Sequence, residues 1–231
     1  MNESCVSFAS YNIHGCRGTD GRCDPQRIAD VITEIEADVV GLQEVFSNTG
    51  DRGLSHLHRI ADATNMQMLS GPTIRRTKAH YGNALLTRFE VLEVRHLNLS
   101  QSGREPRAAL DVVLNVQSNP IRVLVTHLGL RRSERWHQIK VLMERINEGL
   151  QTILLGDMNE WLPFTRPLYW LRYQFGAVKA LRTFPSWLPL LALDRIWVRP
   201  KESLLQVQVH DSRIARIASD HLPIKAEIRI L

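Results

Sequence analysis

Asp157 and Asn159 stand two residues apart in Leu154-Leu155-Gly156-Asp157-Met158-Asn159-Glu160, directly after an apolar run that starts at Thr152. The pattern predicts a buried strand that ends in a turn, with a carboxylate and an amide at its C-terminal end. Both side chains offer hard oxygen ligands of the kind that suit Mg²⁺, Mn²⁺ or Ca²⁺. An Asp/Asn turn closing a strand accounts for this stretch equally well when it is taken alone. Similar polar residues stand at the ends of other strand-like runs: Asn12 near the end of Val6 to Ile13, Glu44 after Asp38 to Leu42, His127 after Ile121 to Thr126, and Asp220-His221 before Ile224 to Ile230. Asp194 lies within a further run, Leu193 to Val198. Singly, Asn12 reads as a turn, Glu44 as a surface charge and His127 as a satisfied histidine. Scattered structural polars do not explain why nearly every buried strand ends in one. Carboxylates, amides and two histidines brought together could hydrolyse a phosphoester. A divalent cation and fixed donors would stabilise developing charge, a carboxylate would activate water, and histidine would donate near neutral pH.

The elements that must position these groups follow from the chain in order. Asp24-Pro25 predicts an N-cap followed by proline in the first turn, and Ile28, Val31, Ile32 and Ile35 recur at helical spacing. A second helix is expected around Leu54, Leu57, Ile60 and Ala61. Met66 to Leu69 and Asn83 to Leu86 read as strands around a basic loop, Arg75-Arg76-Thr77-Lys78. Val91 to Leu99, Ala108 to Val116 and Ile121 to Thr126 read as consecutive antiparallel strands. Ser133 is the expected cap of a helix with Trp136, Ile139, Leu142, Met143 and Ile146 inward. Trp161 to Leu193 is aromatic and broken by Pro163, Pro167, Pro185 and Pro189, with no clear element. Strands outnumber helices, which suits a sheet-rich α/β sandwich with helices outside.

The 231 residues are 44% hydrophobic and 23% charged, enough for one large domain, 1–231, with a sizeable core. No apolar run is long enough to span a membrane, and the N-terminus lacks a basic region followed by an apolar one. Three cysteines, Cys5, Cys16 and Cys23, show no metal-type clustering, so reduced thiols and a cytoplasmic setting are expected; a monomer is expected as well. The net charge is +5, with 24 Arg against 5 Lys. Guanidinium forks suit bidentate phosphate contacts, although arginine excess also arises from base composition.

Seven blocks carry a family resemblance: Ser10-Tyr11-Asn12-Ile13, Gly41-Leu42-Gln43-Glu44, Gly82-Asn83-Ala84-Leu85-Leu86, Thr126-His127-Leu128, Gly156-Asp157-Met158-Asn159, Leu193-Asp194-Arg195-Ile196 and Ser219-Asp220-His221-Leu222-Pro223. In this order they resemble the endonuclease/exonuclease/phosphatase superfamily, which includes pancreatic-type deoxyribonuclease, abasic-site endonucleases, neutral sphingomyelinases and inositol polyphosphate 5-phosphatases. The resemblance implies a four-layered α/β sandwich of two packed mixed β-sheets flanked by helices. It implies Mg²⁺, with Mn²⁺ as a substitute, held by Glu44 with Asn12 and Asp220 close by. Asp157 would orient or deprotonate water, Asn159 would hold water or phosphate, and His221, oriented by Asp194, would contact the scissile phosphate. His127 matches a histidine of the deoxyribonuclease and sphingomyelinase branches. Asn83 and Arg107 would bind substrate, with Arg104 as a competitor for the arginine position.

Two departures bear on the branch. His14 stands where abasic-site enzymes usually carry an acidic residue, and Thr126-His127-Leu128-Gly129 replaces their Tyr-x-Pro-Asn block. Both favour the deoxyribonuclease and sphingomyelinase branch. The expected activity is phosphodiester hydrolysis on nucleic acid, with Arg75, Arg76, Lys78, Arg131, Arg132 and Arg135 tracking the backbone. The alternative substrate is a phospholipid or its head group. Trp161, Trp170, Phe175, Phe184, Trp187 and Leu188-Pro189-Leu190-Leu191, with Arg166, Arg172, Lys179 and Arg182, would then give a peripheral membrane contact; the plain alternative is that these aromatics pack into the core. A non-catalytic binding module of the same fold is the third reading.

Overall fold

The computed structural model describes residues 5–48, 55–76, 79–146 and 149–231. Eleven strands among them build two mixed sheets. The first sheet holds β1 (Cys5–Asn12), β2 (Val39–Asn48), β3 (Gln67–Arg76), β4 (Ala79–Thr87), β10 (Leu204–Val209) and β11 (Ile224–Arg229), in the order β10-β11-β1-β2-β4-β3. The second holds β5 (Glu90–Asn98), β6 (Ala108–Val116), β7 (Asn119–His127), β8 (Gln151–Asp157) and β9 (Asp194–Arg199), in chain order. Each sheet is antiparallel except for one parallel pair, β1 with β2 and β7 with β8.

Side-chain alternation explains how the layers stack. Val6 and Phe8 of β1 face the second sheet and meet Val123, Val125, Ile153, Leu155 and Ile196 in a shared core. Ala9 and Tyr11 face the other way, onto α1 (Pro25–Ile35) and α2 (His56–Thr64). On the far side Leu124, Leu154 and Trp197 turn outward against α3 (Arg132–Met143) and α4 (Arg166–Phe175). The order is helix, sheet, sheet, helix, the four-layered sandwich that the resemblance implies. Gly41 lets the sheets approach, because a Cβ there would collide with Leu155 and crowd Val125.

Local signals hold in places and fail in others. Asp24 caps α1, accepting from the backbone N–H of Gln26 at 3.0 Å and of Arg27 at 3.3 Å, with Pro25 at the first position. Ser133 is not a cap: α3 begins at Arg132, Arg131 occupies the cap position, and no side chain bonds there. That helix buries Glu134, Arg135 and Gln138 beside Ile139 and Leu142, so its inward face is partly polar. Strands β3 and β4 run longer than expected, and Arg75 and Arg76 belong to β3. Leu54, Thr77 and Lys78 lie outside the described residues. The proline-broken region contains α4, with Pro167 in its first turn. Strand β10 has no counterpart among the expected elements. No helix among the described residues is long and apolar enough to cross a membrane.

Candidate active site

The alternation that builds the shared core also aims the site. On β1 the parity of Val6 and Phe8 continues to Asn12; on β7 that of Val123 and Val125 continues to His127; on β8 that of Ile153 and Leu155 continues to Asp157. On β9 Ile196 and Val198 share parity with Asp194, and on β4 Leu85 shares it with Asn83. Each polar residue therefore occupies the inter-sheet face of its strand at one end of the sandwich. The slot is apolar along its length and polar where these strands stop.

Asn12 joins the sheets across that slot. Its Nδ2 donates to Glu44 Oε1 at 3.1 Å on its own sheet and to Asp157 Oδ2 at 3.1 Å on the other. Its Oδ1 accepts the N–H of His14, and its carbonyl accepts the Ser219 hydroxyl at 2.7 Å. Glu44 sits where the β2–β4 register shifts and has φ of 57°. A bulge with a left-handed non-glycine residue turns the carboxylate away from the alternation, toward Asn12. Gly156, with φ of 147°, brings β8 against β7, since a Cβ there would strike Thr126 O.

Asp157 is buried and lies between two histidines. His127 Nε2 is 3.5 Å and His221 Nε2 3.7 Å from its Oδ2, while its Oδ1 accepts the Asn159 N–H at 2.8 Å. Burial favours protonation of this carboxyl, yet the two histidines, the Asn159 N–H and Asn12 together hold it below the usual carboxylate range. Asn159 has φ of 49°, and its Nδ2 donates to His127 Nε2 at 3.0 Å and to Leu128 O at 2.8 Å. His127 accepts at that nitrogen. Burial drives its pKa down, against the pull of Asp157, and leaves the ring neutral.

His221 differs. Its Nδ1 lies 2.9 Å from Asp194 Oδ2, and the same oxygen accepts the Thr183 hydroxyl at 2.5 Å. Burial works against the charged ring, but Asp194 outweighs it, and the His221 pKa is pushed up to about 10. The ring also packs on Phe184, with centroids 4.9 Å apart. Asp220 lies to one side, its Oδ1 3.7 Å from His14 Nδ1.

Asn83 and Arg107 reach the same end in a different way. The Asn83 amide donates across the sheets to Ala108 O at 2.8 Å and Val125 O at 3.5 Å. Arg107 is buried and bound through both terminal nitrogens to Glu105, at 3.0 and 3.2 Å. Its charge bears on both His127 and Tyr81. Arg104 is engaged elsewhere, 3.1 Å from Glu134 on α3.

Three contributors carry no local sequence signal. Burial and then the charge of the neighbouring Glu44 carboxylate push the pKa of Tyr81 well up. Thr183 holds Asp194. Arg135, expected on the surface, is buried on Glu160 at 2.9 Å and donates to Gly129 O and Leu130 O. It ties the chain after His127 to the chain after Asn159 and cannot track a nucleic-acid backbone.

Asp157, Asp194 and His221 offer ligand atoms within 4.8 Å of one another. Asp194 Oδ2 and His221 Nδ1 are already committed to each other, so the Asn12, Glu44 and Asp157 corner fits a cation better. The oxygens it offers are those of the Glu44 and Asp157 carboxylates, with Asn12 turning its Nδ2 toward both and no thiol present, a set that suits a hard divalent ion.

Comparison with known proteins agrees with this geometry. The family model described as Endonuclease/Exonuclease/phosphatase family matches residues 9–221. YbhP of Escherichia coli (strain K12) is 30% identical, over 96% of this chain and 95% of that one. A structure from Enterococcus faecalis V583 superposes with a TM-score of 0.81 at 18% identity, covering 97% of this chain and 100% of that one. A mannosyl-6-phosphatase of Bacteroides thetaiotaomicron superposes with a TM-score of 0.76 at 20% identity, covering 97% of this chain and 100% of that one. With a match that runs from β1 to His221, and with both sheets in place, the chain belongs to the endonuclease/exonuclease/phosphatase family.

Proposed function

We propose that this chain hydrolyses a phosphodiester with the help of a divalent cation. Membership of the family points to a phosphoester hydrolase. The observation that carries the finer reading is the bridge of Asn12 between Glu44 and Asp157, with His127 and His221 on either side of Asp157. Glu44 would hold the cation, Mg²⁺ or Mn²⁺, with Asn12 and Asp220 close by. When bound, the cation would offset the negative charge of the phosphoryl group. Asp157 is held ionised and takes the proton of the attacking water. Asn159, locked by Leu128 O, keeps Asp157 and His127 in register. His221, charged across neutral pH, donates from Nε2 to a phosphoryl oxygen while Asp194 and Thr183 fix its ring.

For the substrate, the nucleic-acid reading loses Arg135, which is buried on Glu160, and keeps Arg131 and Arg132, exposed at the start of α3. The phospholipid reading gains exposed apolar side chains beside the site: Trp161 is 50% and Trp187 63% exposed. Phe175, by contrast, packs in the core.

The test is hydrolysis of bis(p-nitrophenyl) phosphate and of p-nitrophenyl phosphate by purified protein. Diester cleavage should exceed monoester cleavage, vanish with EDTA, and return with Mg²⁺ or Mn²⁺. Full activity in metal-free buffer, or cleavage of the monoester alone, overturns the reading.

A further inference from the structure

Residues 183–191 form a short hairpin. Thr183 and Phe184 N–H both donate to Leu191 O, at 2.9 and 3.1 Å, and Leu190 and Leu191 N–H both donate to Phe184 O at 2.8 Å. Its base is built into the site. Thr183 holds Asp194, Phe184 packs on His221, and Leu222 N–H donates to Thr183 O at 2.9 Å. Ser186, fully buried, donates through its N–H to Asp220 O at 2.7 Å and through its hydroxyl to Ser219 O at 2.6 Å. Its tip is the reverse: Trp187 is 63%, Leu188 49% and Leu190 56% exposed. Arg216 NH1 donates to Trp187 O at 3.0 Å, which sets Ile217, 44% exposed, beside the tip. A well-bonded turn that presents large apolar groups to solvent marks an interaction surface.

Charge selects the occupant. Arg182 leads into the hairpin, Arg213 precedes Ile217, and Arg17 belongs to the loop whose Thr19 N–H donates to Ile217 O at 2.9 Å. All three are exposed and make no ion pair with any described residue. The neighbouring acids are taken: Asp211 pairs with Arg216 at 2.6 Å and Asp20 with Arg27 at 2.9 Å. The rim is therefore positive. A partner that suits it is anionic at the surface and hydrocarbon beneath. Stacking on bases would employ Trp187 but give nothing to Leu188, Leu190 or Ile217, whereas acyl chains accept all four.

We propose that the tip of this hairpin inserts into an anionic phospholipid surface, and that the phosphodiester cleaved is that of a phospholipid. The substrate half of this inference rests on the proposed phosphodiesterase activity; the docking half does not. Insertion sets the headgroup layer at the level of the hairpin base, where Phe184 and Ser186 border His221 and Asp220. It also loads the element that fixes Asp194.

The experiment compares the full chain with Trp187→Ser/Leu188→Ser in co-sedimentation with vesicles of phosphatidylserine and phosphatidylcholine and with vesicles of phosphatidylcholine alone. Wild type should bind the mixed vesicles, less so as salt rises, and the variant about tenfold more weakly. Both should cleave soluble bis(p-nitrophenyl) phosphate equally, which also shows that the variant folds. Equal vesicle binding by the two proteins, or none by wild type, overturns the docking. DNA binding that the variant loses assigns the tip to nucleic acid, and a dimer that the variant dissociates assigns it to a second copy; either overturns the proposal. Vesicle binding by a wild type that cleaves no diester upholds the docking and overturns the phosphodiesterase reading instead.

Discussion

His127 and His221 approach the same oxygen of Asp157 from two sides and are held in opposite states. His127 has its Nε2 engaged by an amide: Asn159 donates to it, burial dominates, and the ring is neutral. His221 has a carboxylate behind it: Asp194 faces its Nδ1, and the ring keeps its proton to about pH 10. Both rings are buried to a similar degree, 7% and 4% exposed. Desolvation is thus common to the two, and the difference comes from the Asp194 carboxylate on the far nitrogen of His221, whereas the charge of Arg107 adds to burial in lowering His127. On the proposed mechanism, one carboxylate between a neutral and a charged histidine has a distinct side for each step of the hydrolysis.

The largest expected effects strike the shared centre and the charged side. Asp157→Asn and His221→Ala should each lower kcat by about two to four orders of magnitude, with folding retained. His127→Ala should cost less, on the order of tenfold to a hundredfold, because a neutral ring contributes less to a developing anion. Equal losses in steady-state kinetics for the two histidines would break the asymmetry. Next is the support of the neutral side. Arg135→Met leaves Glu160 buried without its partner and should destabilise the fold by about 3–5 kcal/mol in urea unfolding. Adding Glu160→Gln should restore much of this; an exposed, dispensable Arg135 would show no change at all.

The smallest effect is a pH dependence of the charged side. The His221 pKa is raised in the folded state, so its contribution is complete below the ordinary histidine value of about 6.5 and is lost as pH rises through about 10. In EDTA, the Tm difference between wild type and Asp194→Asn should therefore narrow from pH 7 to 10. Each kcal/mol lost corresponds to roughly 2–4 °C at this chain length. A constant difference would mean that Asp194 does not hold the proton on His221.

Much of this was legible because a strand end is a local signal. Gly156-Asp157-Met158-Asn159 after an apolar run, and Asn12, His127 and Asp194 in register with the inward residues of their strands, can be read from alternation alone. Strand β10 was not, although Val207 and Val209 alternate with Gln206 and Gln208; it is an edge strand, half exposed on both faces, and its apolar signal is diluted. The start of helix α3 lies two residues before the expected one, since no side chain caps it. The aromatics of Trp161 to Leu193 divide between core and surface by a packing that no local pattern encodes.

The sequence by itself determined the strand ends, their chemistry and the family, because side-chain period and residue type are properties of short stretches. Only the tertiary structure decided the states of those groups. Asn12 meets Asp157 across a separation of 145 residues, and Arg135 meets Glu160 across 25. Thr183 fixes Asp194 from a hairpin with no strand signal. Protonation, tautomer and burial arise from which partners the two sheets press together, and a pairwise field inside a dry slot has no counterpart in a linear pattern.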